Sequence, residues 1–264
     1  MTQDYLQRFA GVGRLYGRDG LARLAAAHVA VIGLGGVGSW AAEALARSGV
    51  GALTLVDMDD VCLSNTNRQL HALDGTAGQP KAAVLKARAQ AINPACQVEA
   101  VQRFFTPSSA GEILATARPL SAVVDAIDSL ANKCLLLAQC RTLKLPVVSS
   151  GGCAGKRDAT AVRVTDMEES RSDRLLKFVR KCLRTEYGFP REGKKFGIPC
   201  VWSPELSAGD PDGCASSLPG ALTDGDELHP NCEWGYGTAV FVSGVFGFAA
   251  AGIVVNKIAA GEWG

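Results

Sequence analysis

The sequence predicts an α/β fold: a Rossmann-like, mainly parallel sheet with helices on both faces, plus a C-terminal extension with a long insertion. Three observations carry that expectation. Short apolar runs alternate with helix-like segments through the first half, the rhythm of β-α-β units. The turn Gly33-Leu34-Gly35-Gly36-Val37-Gly38 joins the first run to the first of these helices, as in nucleotide-binding α/β folds. Aspartates, Asp57 and Asp125, close two further runs, on the edge where open parallel sheets bind ligands.

The elements follow in order. Residues 28–32 (HVAVI) read as a buried strand, and residues 39–47 as an alanine-rich helix stopped at Gly49. Residues 52–56 (ALTLV) are a second strand. Residues 81–92 form a helix ended by Asn93-Pro94, and residues 98–101 a strand. Thr106-Pro107 reads as N-cap and first residue of a helix reaching Ala117. Residues 122–125, 131–143 and 146–149 repeat strand, helix, strand, and residues 161–165 suggest another strand. Residues 199–230, rich in Gly, Pro, Ser and Asp, read as a long loop. Residues 238–255 carry no charge and are long enough to cross a bilayer. Their glycines, and the lack of a flanking basic cluster, predict a core helix and no membrane partner.

Composition narrows the function classes. At 264 residues with 47% apolar content, the chain buries a sizeable core, and its net charge of +1 creates no global attraction to a polyanion. The nine cysteines include no Cys-x-x-Cys pair, which argues against a structural zinc site. The odd count and an N-terminus without an apolar run lead to the expectation of reduced thiols in a cytoplasm. One stretch departs from neutrality: residues 171–195 hold nine basic residues against Asp173, Glu186 and Glu192, a local charge of +6. That patch reads either as a phosphate-binding surface or as a solvated helix face.

The glycine turn alone fits a dehydrogenase as well as an ATP enzyme. Gly33, Gly35, Gly36 and Gly38 open a helix whose N–H groups face an anion. Asp57 either grips ribose hydroxyls or caps its own turn. The next segment separates the candidates: VDMDDVCLSNTNRQ places Asp57, Asp59, Asn65, Asn67, Arg68 and Gln69 in one loop. Lys81 stands at a helix start, where a cation opposes the helix dipole and calls for an anion. Asp128 follows another strand. Cations for phosphates and a carboxylate for magnesium are what phosphoryl chemistry requires.

On these residues the chain resembles the superfamily of ubiquitin-activating-like adenylyltransferases. The resemblance implies ATP and Mg as cofactors. It places Gly36 against the phosphates, Asp57 on ribose, and Asn65, Arg68 and Lys81 on the triphosphate, with Asp59 lining the same loop. Asp128 is the implied magnesium residue, and Ser129 stands where that family usually has Asn. Arg14, ahead of Arg8, is the arginine that would reach the partner subunit's site in a homodimer. Residues 1–170 would form the ATP-binding domain, and residues 171–264 an insertion and C-terminal segment completing the same fold. RFAGVGRLYG, VVDAID and VFGFAA resemble the branch that dehydrates N6-threonylcarbamoyladenosine in tRNA. That likeness implies tRNA as substrate and leaves room for a sulfur-relay protein partner. The rival readings are activation of a sulfur-carrier protein's C-terminal glycine, an NAD-dependent oxidoreductase, and a non-catalytic tRNA-binding or sulfur-relay adaptor. Cys232, in NCEWGYG, reads as a small buried residue or a reactive thiol.

Overall fold

The computed structural model describes residues 1–208 and 236–264. Its centre is a seven-stranded sheet of β1 (His28–Ile32), β2 (Ala52–Val56), β3 (Gln97–Val101), β4 (Ala122–Asp125), β5 (Val147–Ser150), β6 (Arg163–Asp166) and β7 (Pro199–Trp202). The order is β3-β2-β1-β4-β5-β7-β6; all neighbours pair parallel except β6 and β7. Chain order reverses between β1 and β4, which opens a crevice at their C-terminal ends.

The helices are α1 (Gln3–Arg8), α2 (Ala10–Ala26), α3 (Gly38–Arg47), α4 (Lys81–Ile92), α5 (Ala110–Leu114), α6 (Leu130–Leu143), α7 (Arg174–Glu186) and α8 (Val240–Ala260). Alternate strand residues divide between two cores. Val29, Val31, Leu53, Leu55 and Val124 pack with α3, α4 and α8. Ala30, Ile32, Val56, Val123 and Cys200 pack with α5, α6 and α7 on the other face. Burial on both faces explains why these strands read as continuous apolar runs.

Two expectations about elements need correction. The helix expected from Thr106 to Ala117 is only α5. The Thr106 N–H donates to Ser109 Oγ at 3.0 Å, and Ser109 Oγ donates back to the Phe104 carbonyl at 2.6 Å. Thr106 Oγ1, which a cap would turn toward the Ser108 or Ser109 N–H, lies instead 3.0 Å from Ser108 Oγ and 3.2 Å from Ser109 Oγ, so the helix starts three residues later. The segment read as a loop from Pro199 begins with β7, which lies between β5 and β6. Pro199 is tolerated because it is the strand's first residue.

Among the described residues α8 is the one helix long and apolar enough to cross a membrane. Here it lies on α3. A Cβ at Gly247 would sit 2.5 Å from the Val37 carbonyl oxygen and 2.8 Å from Trp40 Cβ. The glycine permits a close helix–helix approach, and Val242, Phe246, Ala250 and Val254 are buried by it. The amphipathic α7 buries Leu176, Val179 and Leu183 and points its charges outward. Asp173 caps it, accepting the Leu176 N–H at 2.9 Å.

Candidate active site

The site collects at the C-terminal edge of the sheet, from the turns after β1, β2, β4 and β5. The four motif glycines divide into two pairs. Gly33 has φ +87°, and a Cβ there would lie 2.7 Å from the Ala126 carbonyl oxygen. A Cβ at Gly38 would lie 1.8 Å from the Gly33 carbonyl oxygen. The chain's own packing therefore demands glycine at both positions. Gly35 has no such neighbour: its nearest contact is the Gln69 amide nitrogen at 3.9 Å. Gly36 is closer, with Ser243 Cβ at 3.3 Å and Arg68 Cγ at 3.5 Å. Neither position is forced to be glycine by backbone clash, so the open backbone there suits the approach of a phosphate.

Asp57 leaves β2 and is fixed by backbone donors. Leu34 N–H reaches its Oδ2 at 2.6 Å, and Asp59 N–H its Oδ1 at 2.9 Å. Burial pushes its carboxyl above the usual range, with the nearby Lys81 pulling it back. The chain then pairs with itself. Val61 N–H donates to the Gln79 carbonyl at 2.9 Å, and Lys81 N–H to the Asp59 carbonyl at 3.1 Å. That pairing brings Lys81 and Asp59 together at 2.9 Å. The lysine is 6% exposed and the aspartate 45%. The expected anion for Lys81 is thus, in the chain alone, a half-exposed carboxylate.

Residues 62–78 form an excursion from this pairing, with a short 3-10 turn over Leu63–Asn65. Asn65 is buried, and its Oδ1 accepts the Cys62 N–H at 3.1 Å. Arg68 follows. Its carbonyl accepts Trp40 Nε1–H at 3.0 Å, while its guanidinium reaches the Ser64 carbonyl and the Asn67 side chain. Asn67 Nδ2 in turn donates to Thr238, just before α8. Gln69 Oε1 and both ring nitrogens of His71 are buried without a hydrogen-bond partner among the described residues. Burial, with Lys81 nearby, lowers the His71 pKa to about 4, so its ring is neutral at pH 7.

Asp128 is exposed at the rim, in the loop from β4 to α6. Ser129 stands at the N-cap of α6 but makes no capping side-chain bond. No group of three or more His, Cys, Asp or Glu that could hold a metal occurs among the described residues. A lone carboxylate fits magnesium, which is bound through one or two carboxylates plus substrate phosphates. The open glycines with the arginine and lysine fit a nucleoside triphosphate.

Several residues of this edge escaped the sequence reading. Lys133, in α6, is fully buried against Asp125 at 2.8 Å. Lys156 is buried and donates to the Ser203 and Glu205 carbonyls. Cys153 sits near Arg68, Lys156 and Asp128; burial pushes its thiol up to about 11, so it is not a thiolate at neutral pH. Arg14 is exposed in the first part of α2, before the kink at Gly17. Cys232 lies outside the described residues.

A Rossmann-like sheet with a glycine turn, an aspartate closing the second strand, and an arginine and a lysine in the segment beyond it is the pattern of a nucleotide-dependent adenylating class. The ThiF family model matches residues 7–255, and the chain belongs to that family. It is 43% identical over 262 residues to tRNA threonylcarbamoyladenosine dehydratase of Escherichia coli strain K12, covering 98% of this chain and 96% of that protein. The solved structure of an E. coli tRNA N6-threonylcarbamoyladenosine dehydratase in complex with ATP superposes with a TM-score of 0.86. The two are 40% identical, covering 99% of this chain and 97% of that one. The E. coli molybdopterin-synthase adenylyltransferase, by contrast, aligns over 150 residues, 57% of this chain, at 35% identity.

Proposed function

We propose that this protein is an ATP-dependent enzyme that cyclises N6-threonylcarbamoyladenosine in tRNA, releasing AMP and pyrophosphate. The observation that carries the reading is full-length likeness to dehydratases of that nucleoside. The sulfur-carrier adenylyltransferases align with only about half of the chain. The site described above supplies the parts that the reaction needs.

The threonine carboxylate of the substrate is a poor electrophile, because its leaving group would be oxide. Its oxygen attacks the α-phosphorus of ATP, and the bond from that phosphorus to the bridging oxygen breaks, giving an acyl-adenylate and pyrophosphate. The carbamoyl oxygen of the same nucleoside then attacks the activated carbonyl. AMP leaves, a proton is lost to solvent, and a five-membered ring closes. Ring closure is intramolecular and needs no protein nucleophile, in keeping with the protonated Cys153. Arg68 and Lys81 neutralise phosphate charge, Asp57 holds ribose, and Gly35 and Gly36 let the backbone N–H groups approach. Asn65 and Asp59 shape the same loop. Asp128 would hold magnesium, which would offset charge on the phosphates.

Residues 171–264 complete the fold of residues 1–170, with β7 inside the sheet and α8 covering α3. The enzyme works as a cytoplasmic homodimer, in which the exposed Arg14 reaches toward the partner's site; exposed Leu15, Phe241 and Phe248 supply apolar surface for pairing. The anticodon arm lies on α7, where Arg174, Lys177 and Lys181 are exposed and make no ion pair among the described residues. Mass spectrometry of nucleosides from tRNA incubated with enzyme and ATP tests the reading. Conversion of the threonylcarbamoyl nucleoside to a product lighter by one water is expected. Unchanged tRNA alongside AMP transfer to a Gly-Gly-ending carrier protein would replace it with the sulfur-carrier alternative.

A further inference from the structure

The loop that carries Asp128 is latched from below by a buried ion pair. Lys133 and Asp125 are both fully buried and stand 2.8 Å apart. Lys133 Nζ also donates to the Ile127 carbonyl at 2.9 Å. Asp125 Oδ1 accepts the Ile127 N–H at 3.1 Å, and its Oδ2 accepts the Ser149 hydroxyl at 2.7 Å. The Ala126 N–H donates to the Ile32 carbonyl at 2.9 Å. Three elements, β4, α6 and β5, thus converge on the residues just before Asp128. The same loop presses on the glycine turn, since the Ala126 carbonyl oxygen occupies the space a Cβ at Gly33 would need.

We propose that Lys133 is a positioning residue for nucleotide activation: through Asp125 and the Ile127 carbonyl it fixes the height of Asp128 over the glycine turn. Stability alone is a poor reason to keep this pair. Taking two charges out of water costs several kcal/mol per ion, and neutral replacements of similar volume are often as stable or more so. The pair does what an apolar pair cannot: it holds both the N–H and the carbonyl of one loop residue by directed bonds. Asp128, one residue further on, has no bond of its own among the described residues to fix it. Loss of such orienting partners typically costs roughly ten- to a hundredfold in metal affinity or activity. The inference rests on the assignment of Asp128 to magnesium made above.

The test measures ATP binding by the full-length protein, by calorimetry with and without magnesium, alongside thermal melting. The double variant Asp125→Asn/Lys133→Met removes both charges while keeping volume. It should melt like the parent and bind magnesium-free ATP with unchanged affinity, yet lose at least about tenfold of the gain that magnesium confers. A folded double variant with the full magnesium gain overturns the inference and makes the pair merely structural. Should the double variant fail to fold, Ser149→Ala decides, since it removes only the hydroxyl that orients Asp125. A reduced magnesium gain there supports the inference, and an unchanged one overturns it. Absence of any magnesium gain in the parent protein would instead remove Asp128's assignment, and the inference with it.

Discussion

Reversing charge on one face of α7 should change how strongly tRNA binding depends on salt. The sequence puts +6 on residues 171–195, but the structure shows that not all of it is free. Arg184 is paired with Glu168, Arg180 donates to Ser170 Oγ, and Arg171 donates to the Glu168 and Ser170 carbonyls. Lys195 pairs with Glu169 at 3.2 Å. Arg174, Lys177 and Lys181 recur at helical spacing on the face opposite buried Leu176, Val179 and Leu183. The triple variant Arg174→Glu/Lys177→Glu/Lys181→Glu should therefore remove up to three phosphate contacts. Each contributes roughly 0.7–0.9 to the slope of log affinity against log salt, so the slope should flatten by about 2 to 3. Stability should hold, because the three side chains are exposed and glutamates at 174 and 177, in the first turn of α7, suit its dipole. Fluorescence anisotropy of labelled tRNA between low and physiological salt reads the slope, with ATP affinity as the control. A triple variant with the parent's slope and parent affinity at every salt concentration would refute the reasoning, and the tRNA would have to dock elsewhere.

Gly38→Ala should prevent folding or lower the melting temperature severely, because its Cβ would meet a backbone oxygen at 1.8 Å. Gly36→Ala should fold but bind ATP weakly, and circular dichroism with calorimetry separates the two outcomes. Arg68→Ala or Lys81→Ala should reduce tRNA-dependent AMP release by about a hundredfold or more with the fold kept; normal release in both would remove them from the mechanism. The parent should bind ATP with magnesium and show no useful affinity for NAD, and calorimetry giving the reverse would favour the oxidoreductase reading. His71 titrates near 4 when folded, against 6.5 when exposed, so the unfolded chain takes up the proton first and stability falls as pH drops below 6.5. Urea unfolding should show that fall as about 2 kcal/mol more between pH 7 and 5 in the parent than in His71→Gln; equal falls would mean the ring is solvated.

β1, β2 and β4 were legible because burial of every residue on both faces leaves a nearly continuous apolar run. β7 was not, because four residues opening with proline, between charged and glycine-rich stretches, carry too little pattern. The N-terminal helices were also missed. α2 contains Gly11, Gly13, Gly17 and Gly20, and it kinks where Gly17 takes φ +75°, so its helical period is weak. The motif glycines, Asp57, Asp59, Asn65, Arg68, Lys81 and Asp128 lie along the C-terminal edge of the sheet, where a polar run after a parallel strand has few other uses. Their partners were not legible, since pairing depends on the path of the chain. Asp59 meets Lys81 only because the backbone doubles back at Gly78–Lys81. Lys133 left a signal that went unread: a single lysine beside Cys134, Leu135, Leu136 and Leu137 in a helix has no apolar reason to be there, and needs a buried carboxylate.

Of the three buried lysines of this edge, Lys156 faces backbone carbonyls, while Lys81 and Lys133 differ in a way that suits them to different work. Both are almost fully covered and both face an aspartate within 3 Å. Lys133's partner is as buried as Lys133 itself, so separating them would leave a bare charge in the core, a loss of roughly 3–5 kcal/mol. Lys81's partner is 45% exposed, and a carboxylate that can return to water loses little when its cation turns to another anion. An incoming phosphate, carrying more charge than Asp59, can therefore take over Lys81 without stranding either group. On the proposed reading the sheet edge would hold one cation that orders the loop before ATP arrives and one free to turn to ATP on arrival. The exposure of the aspartate, more than the position of the lysine, distinguishes the two.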